Sequence, residues 1–195
     1  NQSSVGADNN LNAIATYEKT IGDHFIKGLV GYELITNDYS WFRASRDNYA
    51  LQDYQQLNAG SRDNMQNEGS AHEWGLQSYF ARVNYDYKGK YLLEANVRRD
   101  GSSRFAEGQK YGVFPAFSAG WRVSEESFFD AIEFITDLKL KASWGQLGNQ
   151  NIGEYPFAST IALGQDYLLG GNVVSGAAQL ALANKTISWE TTETT

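Results

Sequence analysis

Read for periodicity, the chain is a series of stretches in which apolar and polar residues alternate. The clearest begins near Ser78. Tyr79, Ala81, Val83, Tyr85 and Tyr87 share one parity, and Phe80, Arg82, Asn84 and Asp86 share the other. Period two is the mark of a β-strand with one oily and one wet face. Lys88-Gly89-Lys90 reads as a tight turn, after which Tyr91, Leu93, Ala95 and Val97 alternate with Leu92, Glu94, Asn96 and Arg98. The pair predicts a β-hairpin. The pattern returns in Phe117, Ala119, Trp121 and Val123, in Leu138, Leu140, Ala142 and Trp144, and in Ile26, Val30, Tyr32 and Leu34, where Phe25 and Leu29 blur it. It is fainter in Leu11, Ala13, Ala15 and Tyr17, and Ile187 and Trp189 open a last run. The expected strands lie near 11–20, 24–35, 76–87, 91–99, 113–123, 137–147 and 186–195. That makes about seven strands of roughly ten residues, long enough to cross a bilayer at a tilt.

The connections between these runs differ in length in an ordered way. Ile21-Gly22-Asp23, Lys88-Gly89-Lys90 and the moderate stretch Ser124 to Asp137 fall at one end of an antiparallel sheet. The long stretches Thr36 to Gly75 and Gly148 to Lys185, with the loop Asp100 to Gly112, fall at the other. Short turns at one end and long loops at the other are the habit of up-and-down barrels in outer membranes. A short helix is expected within Asp47 to Gly60, with Gly60 as its stop, and a second is expected to start at Ser124 as cap, followed by Glu125 and Glu126. Alternation alone leaves two architectures open, a barrel wall and a soluble carbohydrate-binding β-sandwich.

Composition narrows the functions more than the fold. Aromatic residues make up 14% of the 195 residues, with 19 Gly and 2 Pro, as expected of strands joined by turns. With no Cys, disulfides, thiolate nucleophiles and Cys-bound zinc are excluded. A net charge of −7 argues against nucleic acid as a partner. No apolar run is long enough for a transmembrane helix, and the mean hydropathy of −0.49 does not argue against barrel strands, in which only alternate residues meet lipid. The polar start at Asn1 and the finish at Thr195 inside a strand pattern are read as cuts through a longer protein.

No catalytic constellation stands out. His72-Glu73 opens like a zinc-protease motif but lacks its second His, and His24 is distant in sequence, so no metal site is expected. No Gly-x-Ser-x-Gly elbow is present, and adjacent Glu125 and Glu126 do not face each other as a glycosidase pair. The segment Asp100, Gly101, Ser102, Ser103, Arg104 and Phe105 lacks the ending of a phosphate loop and reads as a structural turn. Trp41, Phe42, Trp74, Tyr155 and Phe157 lie in or beside the long loops, where exposed rings can stack on the apolar faces of sugars. They are the candidate substrate-binding residues, and no cofactor is expected.

The residues Tyr91 to Phe105, followed by Tyr111-Gly112-Val113-Phe114-Pro115-Ala116-Phe117-Ser118-Ala119-Gly120-Trp121-Arg122-Val123-Ser124-Glu125-Glu126, closely resemble the C-terminal barrel of SusC/RagA-type TonB-dependent transporters. Leu138 to Gly145 with Gly148-Asn149-Gln150, and Ser188-Trp189-Glu190-Thr191-Thr192, resemble later blocks of that family in their expected order. The likeness covers most of residues 76–195 and is looser over 11–75. It implies an all-β fold of antiparallel up-and-down strands, about seven of the roughly 22 strands of a large transmembrane barrel with long extracellular loops. It implies residence in the outer membrane of a Gram-negative bacterium of Bacteroidota type, against outer-membrane lipid. It implies import of oligosaccharides, or in some cases peptides, under a SusD-like lipoprotein, with TonB acting through a plug domain that is not recognisable in residues 1–195. On this reading the oily parity meets lipid and Arg82, Glu94, Arg98, Arg122, Lys139 and Lys141 face the lumen, with no enzymatic step.

Overall fold

A computed structural model describes residues 1–51, 53–129 and 134–195. Its main feature is one antiparallel sheet of seven strands in the order β1-β2-β3-β4-β5-β6-β9. The strands are β1 (Gln2–Ile21), β2 (His24–Ser45), β3 (Gln66–Tyr87), β4 (Tyr91–Ser102), β5 (Tyr111–Arg122), β6 (Lys139–Asn149) and β9 (Glu190–Thr194). Between β6 and β9 stands a separate hairpin of β7 (Ile161–Leu169) and β8 (Asn172–Gln179). Apart from this hairpin, strands neighbouring in sequence neighbour in space. This is the all-β, up-and-down arrangement that the resemblance implies, with β1 and β9 left as edges.

β1 to β6 run past their expected bounds at the long-loop end, whereas β9, expected from 186, begins at Glu190. β1 starts at Gln2, β2 runs on to Ser45 and β3 begins at Gln66, so much of the expected 36–75 loop is paired ladder, for example Asp38 with Glu73 and Trp41 with Ser70. Polar residues fill both faces there. Both faces are therefore wet, and the hydrophobic alternation that marks a half-buried strand is missing. The 148–185 stretch, expected as loop, contains β7 and β8. Their apolar residues come in consecutive pairs, Leu168-Leu169 and Val173-Val174, which hides period two. The overlooked turn signal is Gly170-Gly171, both at positive φ (59° and 86°), the conformation a two-residue hairpin turn needs.

The two expected helices do not form as such. The Asp47–Gly60 region holds one 3-10 turn, Leu57–Ala59, with Gln52 outside the described residues. Near Ser124 there is a 3-10 turn, Val123–Glu125, and residues 130–133 of that connection lie outside the described residues. Ser124 does not cap a helix; its hydroxyl donates to Asp137 Oδ1 at 3.2 Å, closing the base of the connection instead.

There is little interior. Among the described residues the buried apolar side chains are Phe105, Ala106, Phe114, Val123 and Phe129, and Ser78, Asp100 and Ser102 are the buried polar ones. Directly paired residues of an antiparallel ladder point to the same face, so the register sorts every side chain. One face carries the rows Tyr17-Gly28-Val83-Ala95-Phe117-Trp144 and Ala15-Val30-Ala81-Val97-Pro115. Among them Tyr17, Val30, Val83, Val97 and Phe117 are exposed. No second sheet of the described residues covers this apolar face, which a β-sandwich would require.

Candidate functional site

The apolar face is bounded at both ends by rings. At the short-turn end His24, Tyr87, Tyr91 and Trp121 form one row. Tyr87 stacks on Tyr91 (centroids 6.3 Å), and Trp121 meets Phe128 edge-on at 6.4 Å. Glu126 ties this rim together, accepting from the Tyr91 hydroxyl at 2.6 Å, Trp121 Nε1 at 3.1 Å and Lys90 Nζ at 3.3 Å. The Tyr91 hydroxyl, then the Trp121 N–H, hold the Glu126 carboxyl below the usual carboxylate range against some desolvation. In the neighbouring turn Asp23 lies 3.3 Å from Lys88 Nζ and raises that ammonium's pKa.

The other rim is Tyr32, Tyr79 and Arg99 in one row and Gln77 and Tyr111 in the next. Tyr32 and Tyr79 lie 5.2 Å apart, and the Arg99 guanidinium sits 4.1 Å over the Tyr111 ring. Along β3, Tyr87 and Tyr79 are eight positions apart and Tyr87 and Gln77 ten. At about 3.4 Å per residue and a tilt of about 40° this is a height of roughly 21 to 26 Å, against about 25 Å for the apolar band of a membrane barrel. Among the described residues the charges of this face between the rims are few: Lys19 lies in the row next to the short-turn rim and Glu193 lies on the edge strand β9, paired with Gln146, while Arg99 belongs to the other rim and Asp38 and Glu73 lie beyond it. A hollow of about 520 Å³ over Ala95, Ala119 and Ala142, flanked by Tyr85, Phe117 and Trp144, belongs to this face. Its nearly unbroken apolar lining suits hydrocarbon rather than a polar solute.

The opposite face carries the charge. Arg98 Nη2 donates to Glu33 Oε2 at 2.6 Å and to Ser78 Oγ at 2.8 Å, and its Nε donates to Asp100 Oδ1 at 2.7 Å, so one guanidinium joins β2, β3 and β4. Arg82 faces Glu94 at 3.8 Å, and Glu94 also accepts from Asn84 at 2.6 Å. Arg122, Lys139 and Lys141 share this face through the β5–β6 register. Phe25, Leu29 and Phe80, which blur the alternation, also point this way.

The Asp100–Phe105 segment is largely buried and held by several hydrogen bonds. Ser102 and Phe105 are each 1% exposed. The Ser103 N–H donates to Gly75 O at 3.0 Å, and its Oγ accepts the Gly75 N–H at 2.9 Å. Arg104 N–H bonds Ser102 Oγ at 3.2 Å, and the Phe105 ring lies 5.3 Å from Trp189. Trp189, itself 5.3 Å from Phe114, donates to Lys110 O. Gly148 completes this packing, since a Cβ there would run into the Phe114 ring.

The five candidate ring residues do not form one group. Trp41, Phe42 and Trp74 lie on strands rather than in loops. As neighbours on β2, Trp41 and Phe42 point to opposite faces, and Phe42 shares the apolar parity. Trp74 lies on the charged face, 5.1 Å from the Arg104 guanidinium, whose Nη1 donates to Ile152 O at 2.9 Å. That bond brings the 150–157 segment over β3. Tyr155 donates to Glu73 O at 2.6 Å and meets Phe157 edge-on at 5.9 Å. Trp74, Tyr155 and Phe157 are thus brought to one region, with Trp41 about 13 Å farther along the ladder.

Sequence reasoning missed their companions. Tyr39 stacks on His72 at 5.0 Å, and His72 Nε2 lies 4.0 Å from Glu154 Oε1. A recess of about 480 Å³ is bordered by Tyr39, His72 and Tyr155 together with Asp38 and Glu73, which have the opposite parity. The available signal was the i, i+2 spacing of Tyr39 with Trp41 and His72 with Trp74, legible only once β2 and β3 are known to extend this far. His24 sits at the other end, its Nδ1 2.7 Å from the Tyr85 hydroxyl. No group of three or more metal-ligating side chains occurs among the described residues.

A sheet of membrane-crossing strands, oily on one face between two aromatic rims, charged on the other, and joined by short turns at one end and long loops at the other, is the wall of a transmembrane β-barrel. The whole chain, residues 1–195, matches the family model for the TonB dependent receptor-like beta-barrel, and it belongs to that family. TonB-dependent receptor P39 of Formosa agariphila is 39% identical over 182 residues, covering 90% of this chain and 17% of that protein. TonB-dependent receptor SusC of Bacteroides thetaiotaomicron is 34% identical over 122 residues, covering 61% of this chain and 12% of that protein. The chain thus spans less than a fifth of the length of these relatives. The RagAB peptide importer in its closed-closed state superposes with a TM-score of 0.90 at 24% identity over 98% of this chain and 21% of that one, a likeness of fold.

Proposed function

We propose that this chain is part of the wall and extracellular loops of an outer-membrane TonB-dependent transporter. It works by binding and passage, without bond chemistry. The observation that carries the reading is the separation of faces: the oily parity, between its two rims, meets outer-membrane lipid, and Arg82, Glu94, Arg98, Arg122, Lys139 and Lys141 line a wet lumen where water and a plug domain solvate them. The long-loop end then faces the cell exterior, where a SusD-like lipoprotein covers the mouth, and TonB supplies energy through the plug. The Asp100–Phe105 segment serves as a structural anchor for the loops.

The substrate class is an oligosaccharide. Trp74, Tyr155 and Phe157 offer ring faces for pyranose stacking, and Arg104, His72 and Glu154 beside them offer partners for hydroxyls. Trp41 extends this surface along the ladder; Phe42 belongs to the outer face. The experiment is uptake by cells producing the full-length transporter. Trp74→Ala is expected to lower oligosaccharide uptake about tenfold, in line with the 1–2 kcal/mol of a lost stacking contact, and Phe42→Ala to leave it unchanged. Equal effects of the two variants would refute the assignment of the surface. Loss of peptide uptake with sugar uptake intact would replace the substrate class by peptide, the cargo named for the RagAB importer.

A further inference from the structure

We propose that Arg99, seated on Tyr111 at the long-loop rim of the apolar face, is a binding site for the phosphate of an outer-leaflet lipid. This rests on the lipid-facing assignment above. Arg99 is the one cation of that rim and is exposed. Arg98, its neighbour in sequence, points the other way and is held by Glu33, Asp100 and Ser78. Among the described residues Arg99 has no ion pair, and its one specific contact is the ring of Tyr111, 4.1 Å away. Its neighbours across the ladder are Tyr79 and Val113, neither an anion. β4 is the fourth strand of seven, so its flanking strands are both in place. Of the other carboxylates that the register places on this face, Asp38 and Glu73 lie six positions farther along, about 20 Å away, and Glu193 lies three strands away on the edge strand β9.

The surroundings are arranged to donate. Gln77 Nε2 donates to the Tyr32 hydroxyl at 3.2 Å and to the Tyr79 hydroxyl at 3.1 Å, and Gln77 Oε1 accepts from Tyr111 at 3.3 Å. Both Nε2 protons are therefore spent, and the Tyr32 and Tyr79 hydroxyls, already accepting, keep their own protons for an outside acceptor. Tyr111 lies across Gly101, with the Arg99 guanidinium over its ring. A planar fork of N–H donors beside two phenol donors, at the height where hydrocarbon gives way to headgroups, matches the oxygens of a phosphomonoester. The acyl chains of the same lipid would run down the rows of Val97 and Val83.

The test uses the full-length transporter in detergent, titrated with phosphorylated lipid A and with the same lipid after dephosphorylation, with bound lipid counted by native mass spectrometry. Wild type is expected to prefer the phosphorylated form by about tenfold. Arg99→Gln should abolish that preference, Arg99→Lys should keep part of it, and Tyr111→Leu should weaken it about threefold. Folding of each variant is checked by heat-modifiable gel migration. An undiminished preference in Arg99→Gln, no preference in wild type, or displacement of the lipid by equimolar inorganic phosphate would each overturn the site. Quenching of Trp121 and Trp144 by brominated lipid, measured on the same protein, separates the two claims. Absent quenching refutes the lipid-facing assignment itself; quenching with an unchanged lipid preference refutes only the Arg99 site.

Discussion

Two adjacent residues of β3 offer the sharpest check on the faces. Val83 is half exposed on the apolar face, four positions from Tyr87 at one rim and four from Tyr79 at the other. At about 3.4 Å per residue and a tilt of about 40°, each rim is roughly 10 Å away in depth, which places Val83 at the middle of the band. An arginine there costs about 2–4 kcal/mol, a factor of about 30 to 900 in the folding equilibrium. Arg82, one residue earlier, points to the opposite face and meets Glu94 at 3.8 Å with 53% of its side chain exposed. Its removal costs about 0–1 kcal/mol, because the pair is screened and Glu94 keeps Asn84. Refolding of the full-length barrel from urea into phospholipid vesicles, followed by heat-modifiable gel migration, measures both. Val83→Arg is expected to shift the urea midpoint far below wild type and Arg82→Ala to leave it nearly unchanged. Equal shifts, or an unaffected Val83→Arg, would mean that the oily parity does not face hydrocarbon.

Other outcomes follow from the same geometry. Arg98→Ala leaves the Glu33 and Asp100 carboxylates facing each other without their cation; with the guanidinium partly exposed, the expected loss is about 1–2 kcal/mol in the same refolding assay, largely recovered by a further Glu33→Gln. Gly148→Ala drives a methyl into the Phe114 ring, which is packed on Trp189, and should cost about 1–3 kcal/mol, relieved by Phe114→Leu. Glu126 has a depressed pKa, so its contribution to stability is fully present above the ordinary carboxylate range and is lost as the pH falls through its folded-state value. Thermal scans at descending pH should therefore show wild type converging on Glu126→Gln only in acid; a gap that stays constant with pH would rule out the carboxylate as the origin of the effect.

The amino-acid sequence determined the parts of this protein that one face in water and one in hydrocarbon impose on a strand. Where Val83, Leu93, Val97 and Phe117 alternate with Arg82, Glu94, Arg98 and Ser118, period two follows directly, and with it the hairpin, the all-β class and the sorting of six charges to the face opposite the oily one. Beyond the band both faces are wet, and the ladder of Asp38 with Glu73 is held by backbone bonds that leave no trace in side-chain polarity, so the extensions of β2 and β3 were not legible. The β7–β8 hairpin escaped for the converse reason, its apolar residues being paired along the chain rather than alternating. Only the tertiary structure decided which rings meet. Register put Trp41 on the charged face and Phe42 on the apolar one, the Arg104 bond to Ile152 O carried Tyr155 and Phe157 to Trp74, and pairing placed Tyr79 beside Arg99. Contacts between residues tens of positions apart depend on which strands lie side by side and on how loops return over them, and no local pattern encodes that.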